Sequence, residues 1–493
     1  MTSTPPHLRA FDAPTGMPFG SAEFLIGATP TLGAAVDLAT HGYIETEFLA
    51  AGEASTWAVS EVPGVPTEVG HPHAYVTRLL VRRPLDPSRA SGTVHLEVLH
   101  PMQEEALTWA AAGEHIVRSG DAWVGVTVYA HMATFLREVV DPIRYAELDI
   151  PAEGLEWDIL GGVASALRDG GVPVLRPERI LLSGWSATGS FVRVFLREGF
   201  AGRHPNSVDG AVIFISSGGA GDAGYPPLSA ASAPLPPLDP RRMVRDVGVP
   251  VFEVLSECES ETHFHQLRED SDHIGDAYRL YQVAGTGHIE AWSHGRLSNN
   301  AQLAAIGQEM PETPILEEES DGRLDLVARA VLQRMDDWVA QRRVPPRADR
   351  LTFAEDPEGV DPDSPPAKGR DLSRDADGNV TGGVRTPWIV APLGRYFPHG
   401  TPAPRTPAPG AGKLPDWTPF GDPAIGAWLR ATVERFPVTQ VLERFPLESD
   451  YRTAFTAATR QLTEAGLLLT TDAEELLESV NPRWVAATRA TDR

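Results

Sequence analysis

Three residue types that together can transfer an acyl group follow one another along this chain. A serine, Ser186, lies in Gly184-Trp185-Ser186-Ala187-Thr188-Gly189. Two glutamates, Glu257 and Glu259, lie in Ser256-Glu257-Cys258-Glu259. A histidine, His288, ends Ala284-Gly285-Thr286-Gly287-His288. A serine hydroxyl attacks a carbonyl only when a base removes its proton, and an imidazole base works best when a carboxylate orients it. Each residue also has a plainer use. A serine ahead of a helix can cap free N–H groups, and a loop histidine can bond a backbone carbonyl. The elements that carry these residues weigh between the two uses.

Ile180-Leu181-Leu182 is a continuous apolar run, expected of a strand buried on both faces. Phe191, Val194 and Phe195 then recur at helical spacing. Ser186 is therefore expected at a tight strand-to-helix turn, with its hydroxyl clear of the sheet edge. The free N–H groups of the helix start suit a developing oxyanion. Around this turn, strand and helix patterns alternate from residue 91. Strands are expected at 93–99, 122–128, 210–215, 249–255 and 278–284, and helices at 106–117, 155–167 and 324–340. Such alternation predicts an α/β fold, a mostly parallel sheet flanked by helices.

The rest of the chain attaches to that core. Residues 1–90 alternate apolar and polar at 42–48 and 73–83, which predicts antiparallel strands at the sheet edge. The core spans 91–345, with insertions at 216–246 and 290–322 near strand ends, both candidate lids. Residues 346–421 are rich in Pro and Gly, with an apolar island at 382–392 expected to pack on the core. Residues 422–493 are expected to form a helical appendage, with helices at 425–436, 449–465 and 472–479.

Composition narrows the function. The 493 residues carry a net charge of -25, with 67 acidic and 42 basic side chains. That balance argues against nucleic-acid and anionic-membrane partners, which need a basic face. Cys258 is the single cysteine, so an intrachain disulfide is excluded. The first residues show no basic region followed by an apolar run, and no stretch reaches membrane-spanning length, so a cytoplasmic location is expected.

The turn at Ser186 resembles the nucleophile elbow of the α/β-hydrolases, G-x-S-x-G, with Thr188 in the second glycine position and Gly189 one place later. In that superfamily the order is serine, acid, histidine, as here. The resemblance implies Glu259 as the acid, a few residues beyond its strand, with Glu257 the alternative. It also implies an oxyanion hole made by the N–H of Ala187 and one from the loop after 93–99. Pro101 has no N–H, so His100 or Met102 would supply the second donor. Further resemblance covers nearly the whole chain, to long bacterial proteins described as alpha/beta hydrolase domain-containing. It rests on Gly42-Tyr43-Ile44-Glu45-Thr46-Glu47-Phe48, on 75–84 and 92–99, on Trp123-Val124-Gly125-Val126 and Arg144-Tyr145, and on Ala284-Gly285-Thr286-Gly287-His288 and Gly382-Gly383-Val384-Arg385-Thr386-Pro387. It implies the α/β-hydrolase fold and carboxylic ester hydrolysis. The chain departs from the family at His100, where asparagine is usual, at Ala187-Thr188, where Gln-Ser is common, and at Glu259, where aspartate is frequent.

Trp185, Tyr129, His131, Arg144 and Tyr145 are candidates to line a substrate pocket, although Arg144 could equally pair with a structural carboxylate. His263, His265 and His273 could bind zinc. No matching ligand pair is evident, so they read as a polar loop, and neither metal nor cofactor is expected. The expected activity is a serine esterase acting on a small-molecule ester. An acyltransferase using the same residues, or a non-catalytic binding protein on the same scaffold, are the alternatives. Oligomeric state leaves no signal in the sequence.

Overall fold

The computed structural model describes residues 5–10, 36–102, 104–216, 224–236, 239–262, 267–293, 314–354, 372–404 and 423–489. Its frame is a ten-stranded sheet. In chain order its strands are β1 (His7–Ala10), β2 (Tyr43–Ala58), β3 (Thr67–Pro84), β4 (Thr93–Val98), β5 (Ala122–Val126), β6 (Arg179–Trp185), β7 (Gly210–Phe214), β8 (Val251–Leu255) and β9 (Tyr278–Ala284). A two-residue strand, β10 (Glu318–Glu319), belongs to a separate small sheet, and β11 (Val384–Arg385) completes the large one. The order across the large sheet is β1-β2-β3-β5-β4-β6-β7-β8-β9-β11. β1, β2 and β3 pair antiparallel, β3 meets β5 antiparallel, and every later pair is parallel. This is the α/β sheet with an antiparallel edge that the sequence pattern implies.

The parallel strands read as apolar runs because helices bury both faces. Every residue of β4, β5, β7, β8 and β9 is buried. The covering helices include α1 (Leu107–Ser119), α2 (Glu156–Arg168) and α3 (Ala187–Arg197). A short helix, α4 (Glu257–Thr262), follows β8, and the long α5 (Leu324–Gln341) packs beside α1. Along α5, Leu324, Val327, Val331, Met335 and Trp338 are buried at the spacing the sequence shows. Each such side chain contributes roughly 1.5–3 kcal/mol of burial. On α2 and α3, Trp157 and Phe191 stack with ring centroids 4.3 Å apart.

Part of the first insertion is anchored to this body. Trp157 Nε1 donates to the Leu228 carbonyl at 2.8 Å, and the Tyr225 hydroxyl donates to Glu198. Residues 217–223, 237–238 and 294–313 of the two expected lids lie outside the described residues.

The C-terminal part departs from the all-helical expectation. The helix expected at 425–436 stops at Trp428. Thr432–Arg435 forms a strand, β13, between β10 and β12 (Gly394–Phe397). Thr432 and Val433 are β-branched and pair with Phe397 and Tyr396, which outweighs a weak helical periodicity. Beyond it, α6 (Glu448–Glu464) and α7 (Thr470–Arg489) pack together. Asp321 ties these parts to one another. It meets Arg483 of α7 at 2.7 Å, Arg435 of β13 at 3.3 Å and the Tyr396 hydroxyl at 2.9 Å. Among the described residues, no helix is long and apolar enough to cross a membrane.

Candidate active site

β6 ends at Trp185 and α3 starts at Ala187, so Ser186 is the single residue that turns the chain. It does so at φ 58 and ψ -121, a conformation that costs about 1–3 kcal/mol for a residue with a Cβ. Small neighbours make room for it. A Cβ at Gly184 would lie 2.1 Å from the Thr188 carbonyl oxygen, and one at Gly189 would lie 2.7 Å from the Phe214 carbonyl oxygen of β7. The helix face that meets β7 thus falls at 189, which is why the second glycine stands there. Thr188 does something else. Its buried hydroxyl accepts from the Trp185 N–H at 2.8 Å and donates to the Trp185 carbonyl at 2.9 Å. The Ser186 N–H reaches the Phe214 carbonyl at 3.0 Å.

The structure brings Ser186, His288 and Glu259 into one line. Ser186 Oγ lies 2.8 Å from His288 Nε2, and His288 Nδ1 lies 2.7 Å from Glu259 Oε1. The second Glu259 oxygen receives the Ser256 hydroxyl and, at 3.2 Å, the Ser256 N–H. A carboxylate on Nδ1 keeps the proton there and leaves Nε2 as the acceptor facing the serine. The line has the geometry of a nucleophile, a base and a group that orients the base.

Glu257, two residues earlier, is committed elsewhere. Its carboxylate accepts the Gly285 N–H at 2.6 Å and the Arg374 guanidinium at 3.2 Å. Its own N–H donates to the Thr286 carbonyl at 3.2 Å. Burial pushes its carboxyl up to about 7, against the pull of Arg374. Glu257 therefore grips the backbone of the histidine loop, while Glu259 meets the ring.

The other side of that loop is held from far along the chain. The Ile289 N–H donates to the Leu429 carbonyl at 2.9 Å, and the Ala431 N–H donates to the Ile289 carbonyl at 2.8 Å. A Cβ at Gly287 would lie 2.5 Å from Ala431 Cβ and 3.0 Å from the Pro398 carbonyl oxygen.

On the oxyanion side, Ala187 is the first residue of α3, so its N–H has no intrahelical carbonyl to meet. The expected second backbone donor is not there. The His100 N–H donates to the Glu105 carbonyl at 3.0 Å, and the Met102 N–H donates to His100 Nδ1 at 3.2 Å. Both N–H groups are spent closing their own tight turn. That turn is braced further. His131 Nε2 lies 3.1 Å from the Pro101 carbonyl, and Glu104, at φ 59, accepts the Thr127 hydroxyl.

The remaining candidates separate. Tyr129 is half-buried past the end of β5, 5.6 Å from the His131 ring and edge-on to Phe191 at 6.0 Å. Trp185 is buried, stacked on Phe214 at 4.7 Å and edge-on to Trp292 at 6.1 Å. Arg144 and Tyr145 are engaged by a carboxylate. Arg144 Nε and the Tyr145 hydroxyl both bond Glu47, each at 2.8 Å, and Tyr145 is fully buried. The ion-pair alternative holds for them, since an unpaired carboxylate buried like Glu47 would be costly. His273 bonds within its own turn, through Ser271, Gly275 and Asp276. His263 and His265 lie outside the described residues. Among the described residues, no group of three or more His, Cys, Asp or Glu could hold a metal ion.

Sequence reading missed Ser256, Arg374 and 429–431 as supports. Ser256 had a signal, a hydroxyl three residues before a glutamate at a helix start. Arg374 and Ala431 had none, because nothing local marks a residue that acts across a hundred positions.

A family model described as alpha/beta hydrolase domain matches residues 12–478. No curated protein matches the chain. Among solved structures, it is similar to the esterase Est22, with 14% identity over 58% of this chain and 82% of that one, at a TM-score of 0.34. It is similar to a dienelactone hydrolase from Anabaena variabilis, with 17% identity over 52% of this chain and 94% of that one, at a TM-score of 0.26. An alpha-beta serine hydrolase homologue from Coxiella burnetii shows 12% identity over 47% and 91%, at 0.28. Likenesses of this degree carry nothing about the chemistry.

Proposed function

The chain belongs to the alpha/beta hydrolase domain family, and on that premise we propose that it cleaves a carboxylic ester through an acyl-enzyme on Ser186. His288 Nε2 takes the Ser186 proton as Oγ attacks the ester carbonyl carbon. The carbonyl oxygen becomes an oxyanion, and the Ala187 N–H donates to it. The tetrahedral intermediate collapses, the C–O bond to the alcohol breaks, and His288 returns the proton to the leaving oxygen. Water then attacks the acyl-enzyme with His288 again as base, which releases the carboxylic acid and restores Ser186. Glu259 stays ionised, holds the ring and stabilises its charged form. Glu257 takes no part in proton transfer and keeps the loop in place.

The observation that carries this reading is the unbroken line from Ser186 Oγ through His288 to Glu259, at 2.8 and 2.7 Å. The test is hydrolysis of p-nitrophenyl esters from acetate to long acyl chains. Ser186→Ala should lower kcat by roughly 10⁴–10⁶. Glu259→Gln should lower it by roughly 10³–10⁴, and Glu257→Gln by less than about 10-fold. Full activity in Ser186→Ala would sink the reading. Equal losses in the two glutamate variants would sink the division of labour between them.

A further inference from the structure

The loop after β4 has used both of its expected backbone donors, so neither is left to join the Ala187 N–H at the oxyanion. One donor missing from such a site costs about 10²–10³ in rate. The residue that consumes the Met102 N–H offers a replacement. β4 and β6 run parallel in the register Glu97↔Ser183. His100 and Ser186 each follow the last pair of that register by three residues, so both lie past the same end of the sheet. The His100 ring is 5% exposed. Its Nδ1 accepts the Met102 N–H at 3.2 Å. An acceptor nitrogen carries no proton, so the neutral ring holds its proton on Nε2. Nε2 lies across the ring from Nδ1. Among the described residues no hydrogen bond engages it, yet it is not a fully buried unpartnered atom. It therefore opens onto accessible space at this end of the sheet.

We propose that the His100 Nε2–H is the second donor to the substrate oxyanion, a side chain in the place where a backbone N–H was expected. The proposal rests on Ser186 being the nucleophile. Burial first, and His288 second, push the His100 ring down to about 3. The ring thus stays neutral while the neighbouring His288 cycles between its two charge states. A neutral imidazole donates one hydrogen bond without competing for the serine proton. The bond strengthens as negative charge grows on the carbonyl oxygen, so its loss falls on kcat more than on KM.

The test compares His100→Asn with His100→Asp. Both can accept the Met102 N–H, but only asparagine also donates. With p-nitrophenyl acetate, His100→Asp should lower kcat by roughly 10²–10³ and move KM less than about threefold. Its affinity for a trifluoromethyl ketone, which forms a tetrahedral adduct, should fall by a similar factor. His100→Asn should stay within about 10-fold of wild type in both readouts. Equal Tm values for the two variants separate this role from a purely structural one. If His100→Asp keeps wild-type kcat, or His100→Asn falls as far as His100→Asp, the proposal is overturned. An active wild type with an inactive Ser186→Ala makes those results bear on His100 alone. A wild type that hydrolyses none of the esters, and whose Ser186 takes no fluorophosphonate, overturns both readings.

Discussion

The turn at Ser186 and the loop at His288 stand 2.8 Å apart, Oγ to Nε2, but they are held by different means. The turn is closed by its own neighbours. Gly184, Thr188 and Gly189 lie within three residues of the serine, and the outside contact is to Phe214 of the adjoining strand. The histidine loop is gripped by Glu257 on one side and by 429–431 and Pro398 on the other. A strained backbone is best held by short-range contacts that cannot drift apart. A side chain that must swing slightly as it carries a proton can be held at arm's length by several elements. The difference teaches that one half of this site is a local motif and the other half is a product of tertiary assembly.

Gly184→Ala strikes the local half hardest. Its Cβ would meet a backbone carbonyl at 2.1 Å, and no side chain can move to relieve it. We expect a loss of roughly 3 kcal/mol or more, seen as a lower Tm or a failure to fold. A variant with wild-type Tm and kcat would break the comparison.

Gly287→Ala should act differently, because much of its clash is with the Ala431 side chain. A displacement of His288 against Ser186, by even a fraction of an ångström, should lower kcat by roughly 10-fold, with a smaller fall in Tm than for Gly184→Ala. Ala431→Gly in the same chain should restore most of that loss. No rescue would show that the loop is set by its nearer neighbours instead.

The smallest effect concerns Glu290, buried two residues beyond His288. It accepts Trp292 Nε1 at 2.6 Å and the Leu324 N–H at 3.1 Å. Burial pushes its carboxyl from 4.5 up to about 8. The folded state therefore holds a proton that the unfolded chain releases. The stability this gives is complete below the unfolded value and is lost as pH rises through about 8. Glu290→Gln should flatten the fall in Tm between about pH 5 and pH 8 by roughly 1–2 °C. An unchanged slope would mean that this carboxyl does not couple the histidine loop to pH.

Much of this was readable in the residues. The parallel sheet was legible because strands buried on both faces must be apolar, and Ile180-Leu181-Leu182 carries no other message. Ser186 was legible because its turn is self-contained. Glu259 and His288 were legible as positions past strand ends, though choosing between Glu257 and Glu259 needed to know which way each carboxylate turns. β13 was misread because four residues in a sheet take their conformation from a partner strand, Gly394–Phe397, that lies over thirty residues away. The engaged N–H groups of His100 and Met102 were hidden for a related reason. Residue type tells that an N–H exists, while only the turn tells where it is spent.

The reach of 429–431 into the histidine loop has a consequence for synthesis. Ala431 follows Ser186 by 245 residues. At about 5–20 residues per second, the ribosome makes the serine roughly 12–50 s before it makes the segment that seats the imidazole. A nascent chain thus carries the Ser186 turn for that interval without the contact that seats the His288 loop. On the proposed mechanism, a chain terminated before 431 would lack the contact that seats the His288 loop.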